Sequence, residues 1–148
     1  MNDEGMCREA RVVYRGQPCK VRVTAPADVA AFVRGRVEWA AREHFFSIWL
    51  DARNRPLAWD LVSIGTTTAS LVHPAQIFQG ALMAGAHQII IAHNHPSGDC
   101  TPSTEDREVT KRLADVGIML GVRVLDHVIV GGDARKRSYY SFAEENAL

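Results

Sequence analysis

Two histidines one residue apart, His93 and His95, close an apolar run, Ile89-Ile90-Ile91-Ala92. On a strand, side chains at i and i+2 share a face, and their Cα atoms stand roughly 6–7 Å apart. Both imidazoles can then reach one ion at about 2.0–2.1 Å. Alone, such a pair reads as two polar strand-end residues hydrogen-bonded to the following loop. Here the apolar lead-in and the loop Pro96-Ser97-Gly98-Asp99-Cys100-Thr101-Pro102 put the pair where ligand sites of α/β sheets gather. Ser103-Thr104-Glu105-Asp106 then reads as an N-cap serine with acids in the first helical turn. Helix initiation alone accounts for both Ser103 and Asp106. The chemical reading makes Asp106 a third ligand, with Ser103 facing the site. Two histidines and one carboxylate leave a position for water, as in catalytic zinc sites. The two readings are compatible.

A hydrolytic metal site also needs a general base. Glu38, Glu43, Asp51, Asp60 and Asp99 are candidates. Spacing selects none of them, and each reads equally as a solvated acid. Glu43 stands out because it opens an apolar strand, which sets a carboxylate at a sheet end.

The elements that position these residues follow from hydrophobic periodicity. Residues 11–14 and 20–23 flank the turn formers Arg15-Gly16-Gln17-Pro18 and read as a short hairpin. Pro26 and Asp28 open a helix over 30–42, with Phe32, Val33, Val37 and Ala40 at helical spacing. Residues 43–51 read as a strand, and 57–64 as its hairpin partner. Residues 66–70 stay undecided between strand and loop. A second helix covers 75–86, with Ile77, Phe78, Leu82 and Met83 as its apolar face and Gly85 near its end. Residues 88–92 form a strand of the kind covered on both faces. A third helix over 103–120 carries the stripe Val109, Leu113, Val116 and Leu120, and Gly121 stops it. Residues 122–130 are a strand whose apolar character Asp126 and His127 interrupt. Residues 138–142 form a last short strand. Alternating strands and helices give a mixed α/β domain.

The chain has 148 residues and no net charge, so no global field argues for nucleic acid or an anionic membrane. Arg34 with Arg36, and Arg135-Lys136-Arg137, read as solvated faces. Cys7, Cys19 and Cys100 make an odd, sparse set without CxxC spacing, unlike a disulfide framework. A reducing cytoplasm is the expected location. The start, Met1-Asn2-Asp3-Glu4-Gly5, is unlike a signal peptide. No apolar run approaches the roughly 20 residues of a membrane helix, so no membrane partner is expected. Residues 1–8 read as a flexible tail and 9–148 as one domain.

The run His93-x-His95, seven residues, Ser103, two residues, Asp106 resembles the JAMM (JAB/MPN) metalloprotease motif, and Glu43 matches its upstream glutamate. The stretches Arg42-Glu43-His44-Phe45, Leu71-Val72-His73-Pro74, Ala92-His93-Asn94-His95-Pro96-Ser97-Gly98-Asp99, Val124-Leu125-Asp126-His127 and Ser141-Phe142-Ala143-Glu144 resemble the RadC family of bacterial JAB-like proteins. The resemblance runs from about Ala30 to Glu144. It implies a JAMM/MPN-like mixed β-sheet flanked by helices, with cytidine-deaminase-like architecture. It also implies Zn2+ held by His93, His95 and Asp106 with a water, Glu43 as acid and base, and Ser103 stabilising an oxyanion. His127, with Asp126, reads either as a group orienting a ligand from behind or as a satisfied core residue.

The chain departs from the pattern in three ways. The N-terminal helix-hairpin-helix region of longer RadC proteins is expected to be lacking. Cys100 stands where the loop is expected to carry proline. There is no room for the insertions that hold ubiquitin-like substrates in established JAMM peptidases. The first functional expectation is a zinc hydrolase cutting a peptide amide or isopeptide bond. The alternative is an accessory protein of DNA repair or mobile elements that acts by binding, a reading that the neutral charge disfavours. A homodimer is a further expectation, because this fold often pairs through its helices.

Overall fold

Strict alternation along 89–95 organises the molecule. Ile89, Ile91 and His93 face one side of the sheet, and Ile90, Ala92 and Asn94 face the other. In a computed structural model, which describes residues 11, 13–17, 22–37, 40–65, 72–131 and 139–148, the chain forms α1 (Pro26–Val37), β1 (Glu43–Leu50), β2 (Pro56–Gly65), α2 (Pro74–Met83), β3 (Gln88–His95), α3 (Thr104–Leu120), β4 (Arg123–Gly131) and β5 (Tyr139–Ser141). The five strands make one sheet in the order β2-β1-β3-β4-β5. β1 runs antiparallel to β2 and to β3, β3 runs parallel to β4, and β5 runs antiparallel to β4. The expected mixed α/β sheet flanked by helices is what the chain forms.

Two apolar layers sandwich the sheet. Ile89 and Ile91 join Phe45, Trp49, Ile77, Phe78, Val109 and Leu113 beneath α2 and α3. Ile90 and Ala92 join Phe46, Ile48, Leu50, Val29, Val33 and Val128 beneath α1. Burying one such side chain stabilises the fold by about 1.5–3 kcal/mol, so a register slip that exchanged the faces of β3 would be strongly disfavoured. His93 therefore lies on the α3 side. A bulge between the Ile89–Val124 and Ile90–Asp126 pairs changes the phase of β4.

Several boundaries differ from expectation. α1 begins earlier, because the Asp28 carboxylate accepts from the backbone N–H groups of Thr24 and Ala25 and from the Thr24 hydroxyl, tying down the first turn. Its described part runs to Val37, and residues 40–42, expected to continue it, are not helical. α2 ends at Met83, where Gly85 takes positive φ. It buries Ile77, Phe78 and Ala81 and leaves Leu82 and Met83 exposed. The Trp49 ring lies where a Cβ on Gly80 would be, which brings α2 close to β1. The buried stripe of α3 is Asp106, Val109, Thr110, Leu113 and Gly117, while Leu120 is exposed.

β3 runs three residues past the apolar stretch, through both histidines, because His93 pairs with Phe45 and His95 with Gly131. Along the expected first hairpin, residues 11, 13–17 and 22–24 form no strand, and the rest of it lies outside the described residues. The tail 1–8, residues 66–70, Cys7, Cys19, Glu38 and the 135–137 cluster also lie outside them. No helix among the described residues is long and apolar enough to cross a membrane.

Candidate metal centre

Three elements converge at the C-terminal end of β3. β3 brings His93 and His95, the first residue of β1 is Glu43, and the first turn of α3 brings Asp106. One ligand atom from each lies within 4.8 Å of the others. His93 Nε2 is 3.2 Å from Glu43 Oε1 and 3.1 Å from Asp106 Oδ1. His95 Nε2 is 3.2 Å from Asp106 Oδ2 and 3.0 Å from His93 Nε2. His93 and Asp106 are buried, while Glu43 and His95 are partly exposed.

Hydrogen bonds behind the imidazoles decide which nitrogen each one presents. Asp99 O accepts from His95 Nδ1 at 2.7 Å, so Nδ1 carries the hydrogen and Nε2 faces the cluster. A longer relay holds His93. The Thr110 hydroxyl donates to Asp106 O at 2.6 Å and accepts from His127 Nδ1 at 2.6 Å. Complete burial holds the His127 pKa well below its usual value, so the ring is neutral and its Nε2 is an acceptor. His93 Nδ1, at 2.8 Å, must then be the donor. That leaves His93 Nε2 for an ion. Stacked rings fix both planes: Phe45 lies at 5.4 Å from His93, and Phe142 at 5.0 Å from His127.

The donor set fits a divalent cation. Two imidazole Nε2 atoms and two carboxylates converge, and with both Nδ1 hydrogens engaged elsewhere each Nε2 can offer its lone pair to an ion. A buried carboxylate without a compensating charge costs several kcal/mol. Burial alone would raise the Asp106 pKa; with no ion bound, hydrogen bonds from the two histidines hold it far below the carboxylate range, a role that passes to the cation when one binds. Asp106, with Asp99 O, in turn raises the pKa of His95 against the opposing effect of burial.

Ser103 is the N-cap of α3. Its Oγ accepts from Asp106 N–H at 3.0 Å, and Asp106 Oδ2 accepts from Ser103 N–H at 2.8 Å, a complete capping box. The hydroxyl hydrogen of Ser103 is not used by that cap. Ser103 lines a cleft of about 820 Å³ together with Glu43, His95, Asp106, Arg42, Ile64 and Pro96.

Of the carboxylates considered as bases, the structure brings Glu43 to the cluster. Asp51 is committed to the β1–β2 turn, where the Arg55 backbone N–H, with Arg53 N–H and the Arg55 guanidinium, lowers its pKa to about 2. Asp99 is held by Thr101 N–H and hydroxyl. Asp60 sits exposed on β2. Asp126 lies behind the site: it accepts from His127 N–H, Ser141 Oγ and Ala143 N–H, tying β4 to the chain after β5. His44 turns away and stacks on Phe46. Thr110 and Asn94 were not among the residues singled out in the sequence. Thr110 could have been found from its i+4 spacing to Asp106, and Asn94 from its polar character on the buried face of Ile90 and Ala92.

Residues 23–147 match the model of the RadC-like JAB domain. A UPF0758 protein of Rubrobacter xylanophilus is 44% identical over 138 residues, which cover 93% of this chain and 59% of that protein. The UPF0758 protein TTE0897 of Caldanaerobacter subterraneus is 44% identical over 136 residues, covering 89% of this chain and 58% of that protein. The UPF0758 protein STH371 of Symbiobacterium thermophilum is 45% identical over 129 residues, covering 87% and 53%. The chain thus spans between 53% and 59% of the length of these relatives.

Proposed function

Because the chain belongs to the RadC-like JAB domain family, we propose that it is a zinc-dependent hydrolase that cleaves an amide or isopeptide bond of a peptide or protein. The observation that carries this reading is the convergence of His93 Nε2, His95 Nε2, Asp106 and Glu43 on one point, with both imidazole hydrogens directed away from it. A bound zinc ion supplies Lewis acidity, making water a nucleophile near neutral pH and polarising the carbonyl under attack.

The chain's own residues do the rest. His93, His95 and Asp106 hold the ion, the three protein ligands of a catalytic site. Glu43, at the cleft wall, takes the proton of the attacking water and returns it to the departing amine. Ser103, with its hydroxyl hydrogen free of the cap, donates to the oxyanion as negative charge develops. Arg42 and Ile64 give the cleft a cationic and an apolar wall against which an extended chain can lie.

The test is turnover of an internally quenched peptide mixture and of an isopeptide-linked lysine peptide by the zinc-loaded chain. Chelation should abolish turnover and zinc should restore it. Glu43→Gln should keep zinc and lose turnover by about 10²–10⁴-fold, the usual worth of a general base. Turnover unchanged in Glu43→Gln would remove Glu43 from the mechanism.

A further inference from the structure

Asn94 separates the two histidines in sequence and faces the opposite side of β3. It is 5% exposed, on the face of Ile90 and Ala92. Its amide bonds to the chain on either side of one residue. Asn94 Oδ1 accepts from His44 N–H at 2.7 Å, and Asn94 Nδ2 donates to Arg42 O at 3.1 Å. The residue between them is Glu43.

The ladder explains why an amide is needed there. β1 and β3 pair from Leu50–Gln88 up to Phe45–His93 and no further, so Glu43 and His44 keep strand partners only in β2, as Gly65 and Ile64. The Asn94 side chain, through one N–H and its carbonyl oxygen, stands in for the missing peptide group and continues the pairing past its last rung. His44 closes the arrangement, since its Nδ1 also meets Arg42 O, at 2.9 Å. That carbonyl then receives two donors, which matches its two lone pairs.

From this geometry we infer that Asn94 is the positioning residue for Glu43: the His93-Asn94-His95 stretch presents two metal ligands on one face and clamps the base from the other. The inference rests on the proposed hydrolase reading, and it adds that ligand and base placement are set by three consecutive residues. A carboxylate displaced by about 1 Å can lose on the order of 10²-fold in rate, which is why so buried a clamp matters.

The experiment uses the full chain loaded with Co2+, whose visible absorption reports on geometry and neighbours at the metal. Glu43→Gln should shift the band. Asn94→Ala should bind cobalt at unchanged stoichiometry and shift the band in the same way. Added to Glu43→Gln, it should change nothing further, because a clamp acts only through the group it holds. Asn94→Asp preserves shape and the acceptor for His44 N–H but replaces the donor, so it should give a partial shift. It also serves if the alanine variant does not fold. In turnover, Asn94→Ala should lose about 10²-fold, mostly in kcat, with KM little changed.

A cobalt band unmoved in both Asn94 variants overturns the inference. So does further change when Asn94→Ala is added to Glu43→Gln, and so does a band that Glu43→Gln leaves unmoved. A wild-type chain that binds cobalt but cleaves none of the peptides overturns the hydrolase reading instead, and the spectra still decide the role of Asn94.

Discussion

At the scale of single residues, two hydrogen atoms decide the chemistry. The His95 hydrogen goes to Asp99 O and the His93 hydrogen to His127, which places both Nε2 atoms toward the carboxylates. Thr110 sets the direction of the second, since its hydroxyl donates to Asp106 O and can only accept from His127. Thr110→Val keeps the shape and removes the hydroxyl, so His127 is no longer confined to one tautomer. Zinc affinity measured by competition with a chelator should fall about 10–100-fold, as for other partners behind a ligand, and an unchanged affinity would dismiss the relay. Protons would compete with a metal at His95, whose pKa is raised by Asp106 and Asp99 O in the ion-free protein. The stability that this raised pKa contributes is present below about 6.5 and lost as pH rises through the folded value. The buried neutral His127 acts oppositely: its contribution is present above about 6.5 and lost as pH falls. The gain in Tm on adding zinc should therefore shrink as pH falls from 8 to 5.5, and an equal gain at both would contradict this account. His93, His95 and Asp106 were legible in the sequence because imidazoles and carboxylates are metal-ligand types, and Ser103 because it stands at capping distance from Asp106. Thr110 and Asn94 carried only weaker signals, an i+4 spacing to Asp106 and a polar residue on an apolar face, which acquire a meaning once their partners are known.

At the scale of elements, the start of α3 serves folding and the site together. Ser103 and Asp106 cap the helix with each other, and Asp106 begins the buried stripe that Val109, Thr110 and Leu113 continue. Ser103→Ala should cost about 0.5–2 kcal/mol of stability, and Ser103→Gly only a few tenths. Both remove the hydroxyl, so both should reduce turnover equally if Ser103 meets the oxyanion. Denaturant unfolding beside kinetics separates the two duties, and turnover that followed stability would leave Ser103 a cap alone. The helix start was legible for the same reason that its chemistry was: one serine and one acid at capping spacing. The end of β3 was not. Its apolar run stops at Ala92, yet ladder pairs carry the strand through His95, since polar residues that line a site still satisfy their main chain in the sheet. The apolar faces of α2 and α3 differ from expectation at their C-terminal ends: Gly80 lies close against Trp49 and Gly117 against Val122, while Leu82, Met83 and Leu120 are exposed.

At the scale of the whole molecule, the sheet order brings distant stretches of chain together. β1 lies beside β3, and α3 covers the same face as His93, so Glu43 meets residues some fifty to sixty positions later. Alternation and periodicity gave the α/β class, whereas the neighbour order comes from tertiary pairing that one sequence does not display. A metal bound by the folded chain and not by the unfolded one stabilises it by mass action, about 2.7 kcal/mol at a free concentration 100 times Kd. Occupancy of the cluster is therefore the claim on which the rest depends. The direct measurement is the zinc content of the chain after stripping, reloading and removal of free metal, beside the Asp106→Asn variant. The account predicts about one zinc per wild-type chain and a large loss in Asp106→Asn. A wild-type chain that takes up no zinc on reconstitution, or an Asp106→Asn chain that holds it as well as the wild type, would contradict it.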